Sequence, residues 1–366
     1  MMFDFLILLM FILSVFAYSK IGYEGTKVYL FLILSFLTVF DLLIFKIIKL
    51  IKSLNKIDLI YLIWVGILLL SSLLGIYPIQ SILGGSYRHQ GVIFFFSLWV
   101  IAKLTLFQNE KYKKVLEKVI IYSLLFQSIL VIVQTIFKIN LLNERAIGTL
   151  GEPNAVAGLF VLGIYFFLKD KKKISDYSII DYLILLIIFI ATVLTKSRIG
   201  ILSFCLVTIL SFFSFHKLRN VKRGLLFLLF GLIITLSLIL IKRPISIYED
   251  RILFWKLAIN QIQKKPILGF GAESGEEVFN IAFKENKMPL YELIVDRSHN
   301  IIIDIILWSG LLGLSVFIYW LYKVFILLIL SKETLKIYSI IGFLFFSFLQ
   351  PLGVIHWLFF ILIINW

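Results

Sequence analysis

Apolar residues in this chain fall in long continuous blocks separated by short polar links. A block of about 18 or more apolar residues spans roughly 30 Å of hydrocarbon as a helix. Because the blocks are continuous rather than alternating, they predict helices and not the strands of a barrel. The pattern places helices near 2–17, 27–45, 58–77, 90–107, 116–137, 154–169, 179–195, 199–215, 223–241, 300–330, 334–349 and 353–365. The predicted fold is therefore all-α: a polytopic membrane bundle of about twelve spans. The whole of 1–366 reads as one transmembrane domain, and the long link 242–299 forms a large extracytoplasmic loop within it.

The links set the expected sidedness. The even links carry Lys46, Lys49, Lys52 and Lys56, then Lys103, Lys111, Lys113, Lys114 and Lys118, Lys169 and Lys171 to Lys173, Lys217, Arg219, Lys222 and Arg223, and Lys332 and Lys336. The short odd links carry only Lys20 and Lys27, Arg88, Lys138 and Arg145, and Lys196 and Arg198. Cytoplasmic links are enriched in cations, so the even links and both termini of this multi-pass chain are expected on the cytoplasmic side of its membrane. The first block, Phe3 to Ala17, lacks a basic flank and is expected to stay as an uncleaved helix.

Composition agrees: 61% of the residues are hydrophobic, well above the soluble norm of roughly 45–50%. The net charge of +15 would suggest nucleic acid in a soluble protein; here link placement accounts for it, and no nucleic-acid partner is expected. Cys205 is the single cysteine, which excludes an intramolecular disulfide. The four histidines do not cluster along the chain, and no outward acidic pair presents itself, so neither a metal nor a cofactor is expected.

Within 242–299, Glu249 and Asp250 favour the positive start of a helix. Ile252, Trp255, Ile259 and Ile262 follow as an amphipathic stripe, Pro266 stops it, and Gly269 and Gly271 turn the chain. This helix is expected to lie on the membrane surface or over the bundle.

The few outward cations stand at particular places. Arg88 lies in GGSYRHQG, Arg145 precedes GTLGEPNAVAG with Asn154, Arg198 lies in TKSRIG, and His299 with Asn300 lies in DRSHN. Each motif opens a helix whose N-terminus faces outward, where free N–H groups and the macrodipole favour an anion. Arg251, on the loop helix, folds toward the same region. Guanidinium groups gathered at a bilayer interface suit a phosphate attached to a lipid. The competing readings are interfacial anchoring for Arg88 and Arg145, close packing for the Gly151–Gly158 segment, and a simple helix cap for Asn300. Asp304 lies one turn inside its helix on the face of Asn300; it orients neighbours, binds sugar hydroxyls or makes a helix-to-helix hydrogen bond.

On these residues the chain resembles the O-antigen ligase and polymerase superfamily of bacterial membrane glycosyltransferases, over roughly residues 78–350. GTLGEPNAVAGLF is similar to its G-x-x-x-N-P-N segment and TKSRIGILSF to its S-R-G segment. RILFWKLAINQIQKKPILGFGAESG is similar to its R-x-x-x-W stretch ending in G-x-G, and SHNIIIDIILWSGLLGL to its H-N segment ending in G-x-x-G-L. Glu152, Lys265 and Trp308 depart from the family pattern. The resemblance implies glycan transfer from a polyprenyl (undecaprenyl) diphosphate carrier to a lipid- or protein-linked acceptor hydroxyl, inverting and independent of metal. It also implies catalytic roles for Arg198, Arg251 and His299; from their own placement, Arg88, Arg145, Asn154, Asn300 and Asp304 are expected to bind substrate, with membrane lipids surrounding the site. A polymerase that joins carrier-linked repeat units is the nearest alternative. A transporter of lipid-linked sugars is the other; it would favour internal repeats and midplane polar groups, whereas here the charge lies at one face.

Overall fold

The computed structural model describes residues 2–17, 23–85, 88–169, 178–213, 246–288 and 295–365. The expected ninth span, 223–241, lies outside them, as do Lys20, Lys171 to Lys173, Lys217, Arg219, Lys222 and Arg223. The described elements are α1 (Met2–Leu13), α2 (Tyr23–Phe45), α3 (Ile47–Lys52), α4 (Lys56–Leu73), α5 (Pro78–Leu83), α6 (Val92–Phe107) and α7 (Glu110–Phe137). A two-residue hairpin, β1 (Leu141–Leu142) with β2 (Arg145–Ala146), leads to α8 (Pro153–Leu168), α9 (Ile179–Leu194) and α10 (Arg198–Phe213). The loop helices are α11 (Ser246–Ile262) and α12 (Gly275–Glu285), and α13 (Ile301–Leu330), α14 (Thr334–Ser347) and α15 (Val354–Asn365) complete the bundle.

The protein is an all-α membrane bundle. Among the described residues, α4, α7 and α13 are long and apolar enough to cross a membrane, and eight further apolar helices are shorter. Local chemistry sets the boundaries. Asn55 with Asp58, and Ser178 with Asp181, form reciprocal capping boxes at the starts of α4 and α9. Asn109 caps α7, which starts at Glu110, six residues before the expected 116, because a charged first turn interrupts the hydropathy without interrupting the helix. The span expected over 58–77 ends instead at Leu73, and Pro78 starts the separate short helix α5.

The even links meet at one end of the bundle. Lys46 pairs with Asp4 (2.5 Å), Lys103 with Asp58, and Lys169 with Glu117. At the opposite end Lys27 donates to the carbonyls of Ala17 (2.7 Å) and Thr149 (3.0 Å), joining odd links. In a low-dielectric setting such cations persist only with partners.

The core runs along α15, whose residues from Val354 to Ile363 are all buried. A helix apolar all round belongs in the middle of a bundle. Trp64 of α4 lies 5.1 Å from Phe95 of α6 and from Phe317 of α13, and Phe343 of α14 stacks on Phe360 of α15 at 4.2 Å.

Helix α13 is broken at Gly310, where φ is 64° and ψ is −170°. That conformation is open essentially only to glycine. The freed backbone groups are taken up by the loop segment 266–271. Leu311 and Leu312 N–H donate to the carbonyls of Pro266 (2.8 Å) and Ile267 (3.2 Å), while Phe270 and Gly271 N–H donate to Leu307 (2.7 Å) and Trp308 (3.0 Å). The Ser71 hydroxyl adds bonds to the carbonyls of Leu268 and Trp308. Gly310→Ala should therefore be strongly destabilising. It adds roughly 1–3 kcal/mol of backbone strain, and its Cβ would overlap the Ile267 carbonyl. A thermal unfolding transition in detergent unchanged from that of the unsubstituted protein would contradict this account of the break.

In the loop the structure adds a packed face beside the expected stripe. Helix α11 begins at Ser246, so Asp250 lies after its first turn. Of the stripe residues, Ile252 is 51% and Ile259 47% exposed, whereas Phe254, Leu257 and Ala258 are buried. The reason is α12, an element absent from the expected pattern. Its Val278, Phe279, Ala282 and Phe283 form one buried face, and Phe254 packs against Phe279 (5.8 Å) and Phe283 (6.4 Å). The 3–4 spacing of those four residues marks an amphipathic helix, though the segment is too polar to suggest a span.

Candidate active site

Residues 295–300 connect the loop to α13, and several functional side chains converge on them. The Asn300 side chain caps α13 by accepting from the N–H groups of Ile302 (3.0 Å) and Ile303 (3.4 Å). Buried Asp304 reaches back one turn: its Oδ1 accepts from the Ser298 N–H (2.8 Å) and hydroxyl (2.7 Å). The Trp255 indole N–H of α11 donates to the Ser298 carbonyl (2.9 Å). Ser298 is thus held from three directions, which fixes His299 beside it.

His299 occupies the left-handed region with φ 62°, uncommon for a residue with a side chain. Its Nδ1 is shielded from solvent and has no hydrogen-bond partner among the described residues. Burial, and then the charges of Arg251 and Arg88, push the imidazole down to about 4, with Asp296 acting weakly in the other direction. At neutral pH the ring is therefore uncharged, with a lone pair available. His299 thus feels the charges of Arg251 of α11 and Arg88 of the α5–α6 loop, although Arg88 and His299 are 211 positions apart in the chain.

Arg88 is also paired: its Nε donates to Asp296 Oδ2 at 2.5 Å. Burial works to raise the Asp296 carboxyl, but Arg88, and then Arg297, hold it below the ordinary carboxylate range. Arg297 was not among the expected site residues. Its guanidinium lies over the Trp308 ring at 4.0 Å, pairs with Glu273 and donates to the Gln90 side chain at 3.2 Å. Glu273 in turn accepts from the Gly85 N–H (3.1 Å), tying the loop to the glycine turn before Arg88. The DRSHN sequence contains Arg297 two residues before the histidine; its pairing across the fold with Glu273 and Gln90 left no local signal.

A second group lies where α8 and α10 begin. Arg145 donates to the Thr195 carbonyl (2.8 Å) and to the Asn154 side chain (2.9 Å), and Asn154 donates to Glu152 (3.2 Å). Arg198 is the first residue of α10, three positions beyond Thr195. The structure thus joins Arg88, Arg251, His299, Asn300 and Asp304 in one group, and Arg145 and Asn154 to the turn before Arg198 in another. Gln90 bridges toward the bundle centre by donating to the Leu352 carbonyl (3.0 Å), and His356 of α15 contacts the Ala155 carbonyl (3.0 Å).

Fold and site together define a class: an all-α membrane protein with a histidine, its Nδ1 buried, at the start of one long helix, within electrostatic reach of arginines from two other segments. Comparison with known proteins agrees. Residues 183–318 match the family described as O-antigen ligase, a range holding three of the four motif segments quoted above. The chain is also 24% identical over 187 residues to the ComP-specific O-oligosaccharyltransferase of Acinetobacter baylyi, a match covering 46% of this chain and 33% of that protein. The chain thus spans about a third of the length of that curated relative. Both findings support the O-antigen ligase superfamily for this chain, as its motifs indicated.

Proposed function

We propose that this protein is a membrane glycosyltransferase that moves a glycan from a polyprenyl diphosphate carrier to an acceptor hydroxyl at the outer face of the bacterial cytoplasmic membrane. The observation that carries the reading is the buried Nδ1 of His299, without a hydrogen-bond partner among the described residues, within electrostatic reach of Arg251 and Arg88. A base and anion-binding groups near one another are what displacement of a diphosphate by a hydroxyl requires.

In this scheme the acceptor oxygen attacks the anomeric carbon opposite the diphosphate, giving inversion. Its proton passes to His299, and the electron pair of the broken carbon–oxygen bond leaves with the diphosphate. Arg251 and Arg198 stabilise that departing charge, with Arg88 assisting. Asn300 and Asp304 hold the histidine turn, and Arg145 with Asn154 shapes the turn before Arg198. The Acinetobacter baylyi relative is an O-oligosaccharyltransferase, which supports transfer to a hydroxyl. With both termini in the cytoplasm, the pocket faces outward, as the cation-rich even links require.

The test is reconstitution in vesicles with a defined carrier-linked glycan and three acceptors: a lipid core, a protein, and a second carrier-linked repeat unit. Product on any of them supports transfer, and the acceptor used separates ligase from polymerase. No product with any, together with glycan movement across the vesicle wall, would replace the reading with transport.

The same assay yields a pH prediction. The free-enzyme histidine protonates near 4 rather than near its ordinary 6.5, so protons inactivate it only as pH falls through about 4. The acid limb of kcat/KM, which reports the free enzyme, should lie there. A bound diphosphate offsets Arg251 and Arg88, favours the protonated ring and raises the histidine. The acid limb of kcat, which reports the complex, should therefore lie at higher pH. Coincident limbs near 6.5 would contradict the assigned environment.

A further inference from the structure

Arg297 takes no part in the proposed chemistry, yet it is a charged residue only 4% exposed. Its Nη2 donates both to Glu273 and to Gln90 Oε1 (3.2 Å), and its guanidinium lies 4.0 Å over the Trp308 ring. A planar, forked cation suits such a combination; the compact ammonium of a lysine does not.

What Arg297 grips brackets Arg88. Gln90 lies two residues after Arg88, and Glu273 Oε2 accepts from the N–H of Gly85, three residues before it (3.1 Å). Arg88 itself pairs with Asp296, the residue next to Arg297. Two consecutive loop residues thus hold positions 88 and 90, while Glu273 ties position 85 to the same guanidinium. These holds are themselves anchored. Gln90 donates to the Leu352 carbonyl (3.0 Å), and a Cβ at Gly275 would overlap the Asp296 carbonyl, so the start of α12 presses on the backbone there. Arg297 also helps to keep Asp296 ionised and so able to pair with Arg88. Buried ion pairs are weak sources of stability, since packed apolar residues often serve as well. What this one supplies is the register of the segments it joins.

We propose that Arg297 is a positioning residue for glycan transfer: through Glu273, Gln90 and Asp296 it sets the segment bearing Arg88, so that the Arg88 guanidinium meets the diphosphate. The assignment rests on the proposed transferase function and adds to it a residue that acts through Arg88 without touching substrate.

The experiment joins glycan transfer to hydrogen–deuterium exchange, both on the full chain in vesicles. Arg297→Lys keeps a positive charge for Glu273 and Asp296 but loses the stack and the fork. It should lower kcat/KM by about 10- to 100-fold, at most the cost of a roughly 1 Å misplacement. In an Arg88→Gln background the same substitution should cost less than about twofold, because groups that act as a unit are non-additive. Amide exchange should rise in the peptide carrying Gly85 and Gln90 and stay unchanged in α9. An arginine needed only for folding would give equal losses in both backgrounds. That result, or unchanged exchange at Gly85, would overturn the proposal. Should Arg297→Lys fail to accumulate, Trp308→Phe keeps the ion pair and weakens the stack. It should show a smaller loss with the same dependence on Arg88. Because exchange needs no turnover, the two readings fail separately. Transfer with equal losses in both backgrounds sinks only the role of Arg297, and a loosened Gly85 peptide without transfer to any acceptor sinks only the enzyme.

Discussion

His299→Ala should lower glycan transfer by about 10²–10⁴-fold, the usual contribution of a positioned acid–base group, while the protein remains folded in the membrane. The loss follows from the geometry. Arg251 and Arg88 act electrostatically on the ring, and its Nδ1 has no hydrogen-bond partner among the described residues that would give it a purely structural purpose. Alanine is strained at the φ of 62° found here, so His299→Asn is the matched control. Asparagine tolerates the left-handed region but cannot accept a proton at neutral pH. Both variants should be equally inactive, and the asparagine variant should retain the thermal transition of the unsubstituted protein. Turnover at a comparable rate in either would remove His299 from the reaction.

The second large effect is expected at the arginines. Arg251→Gln and Arg198→Gln should each lower kcat by about 10²–10³-fold, the loss typical of one group that stabilises a developing anion. Arg251→Gln carries an additional signature. Burial, the larger cause, remains, but removing a cation that depresses His299 should move the acid limb of kcat/KM upward from about 4. Arg198 starts a different helix, beside the turn held by Arg145. The double variant decides whether both arginines serve one diphosphate. Shared contact predicts a loss well short of the product of the two single losses, since groups acting as a unit are non-additive. Fully multiplicative losses would mean that Arg198 acts elsewhere.

The spans were legible because membrane burial is written as continuous hydropathy. Blocks at 300–330 and 353–365 reappear as α13 and α15 within a residue of their expected limits at each end. The loop was less legible. Helix α11 carries apolar residues on more than one face, and spacing alone does not say which face meets a partner. Ile252 and Ile259 fit the period, yet Phe254, Leu257 and Ala258 are buried because α12 lies against them. In the site, Arg88, Arg251 and His299 could be nominated because each stands by a helix end or in a recognisable motif. Asp296, Glu273 and Arg297 could not. Asp296 pairs with Arg88, Arg297 with Glu273 and Gln90, and Glu273 also with the Gly85 N–H, and no local periodicity encodes a salt bridge such as Arg88–Asp296 between residues 208 positions apart.

The break at Gly310 bears on how this protein moves. Segment 266–271 acts as a splint across the interruption, supplying four backbone bonds that the helix cannot make for itself. Peeling that strip away would strand those groups where no solvent can replace them, which costs several kcal/mol per group in hydrocarbon. Helix and splint must therefore loosen as one cooperative piece. His299 is anchored at the head of the same helix, so a rearrangement that admits substrate must either spare the splint or disturb the imidazole with it.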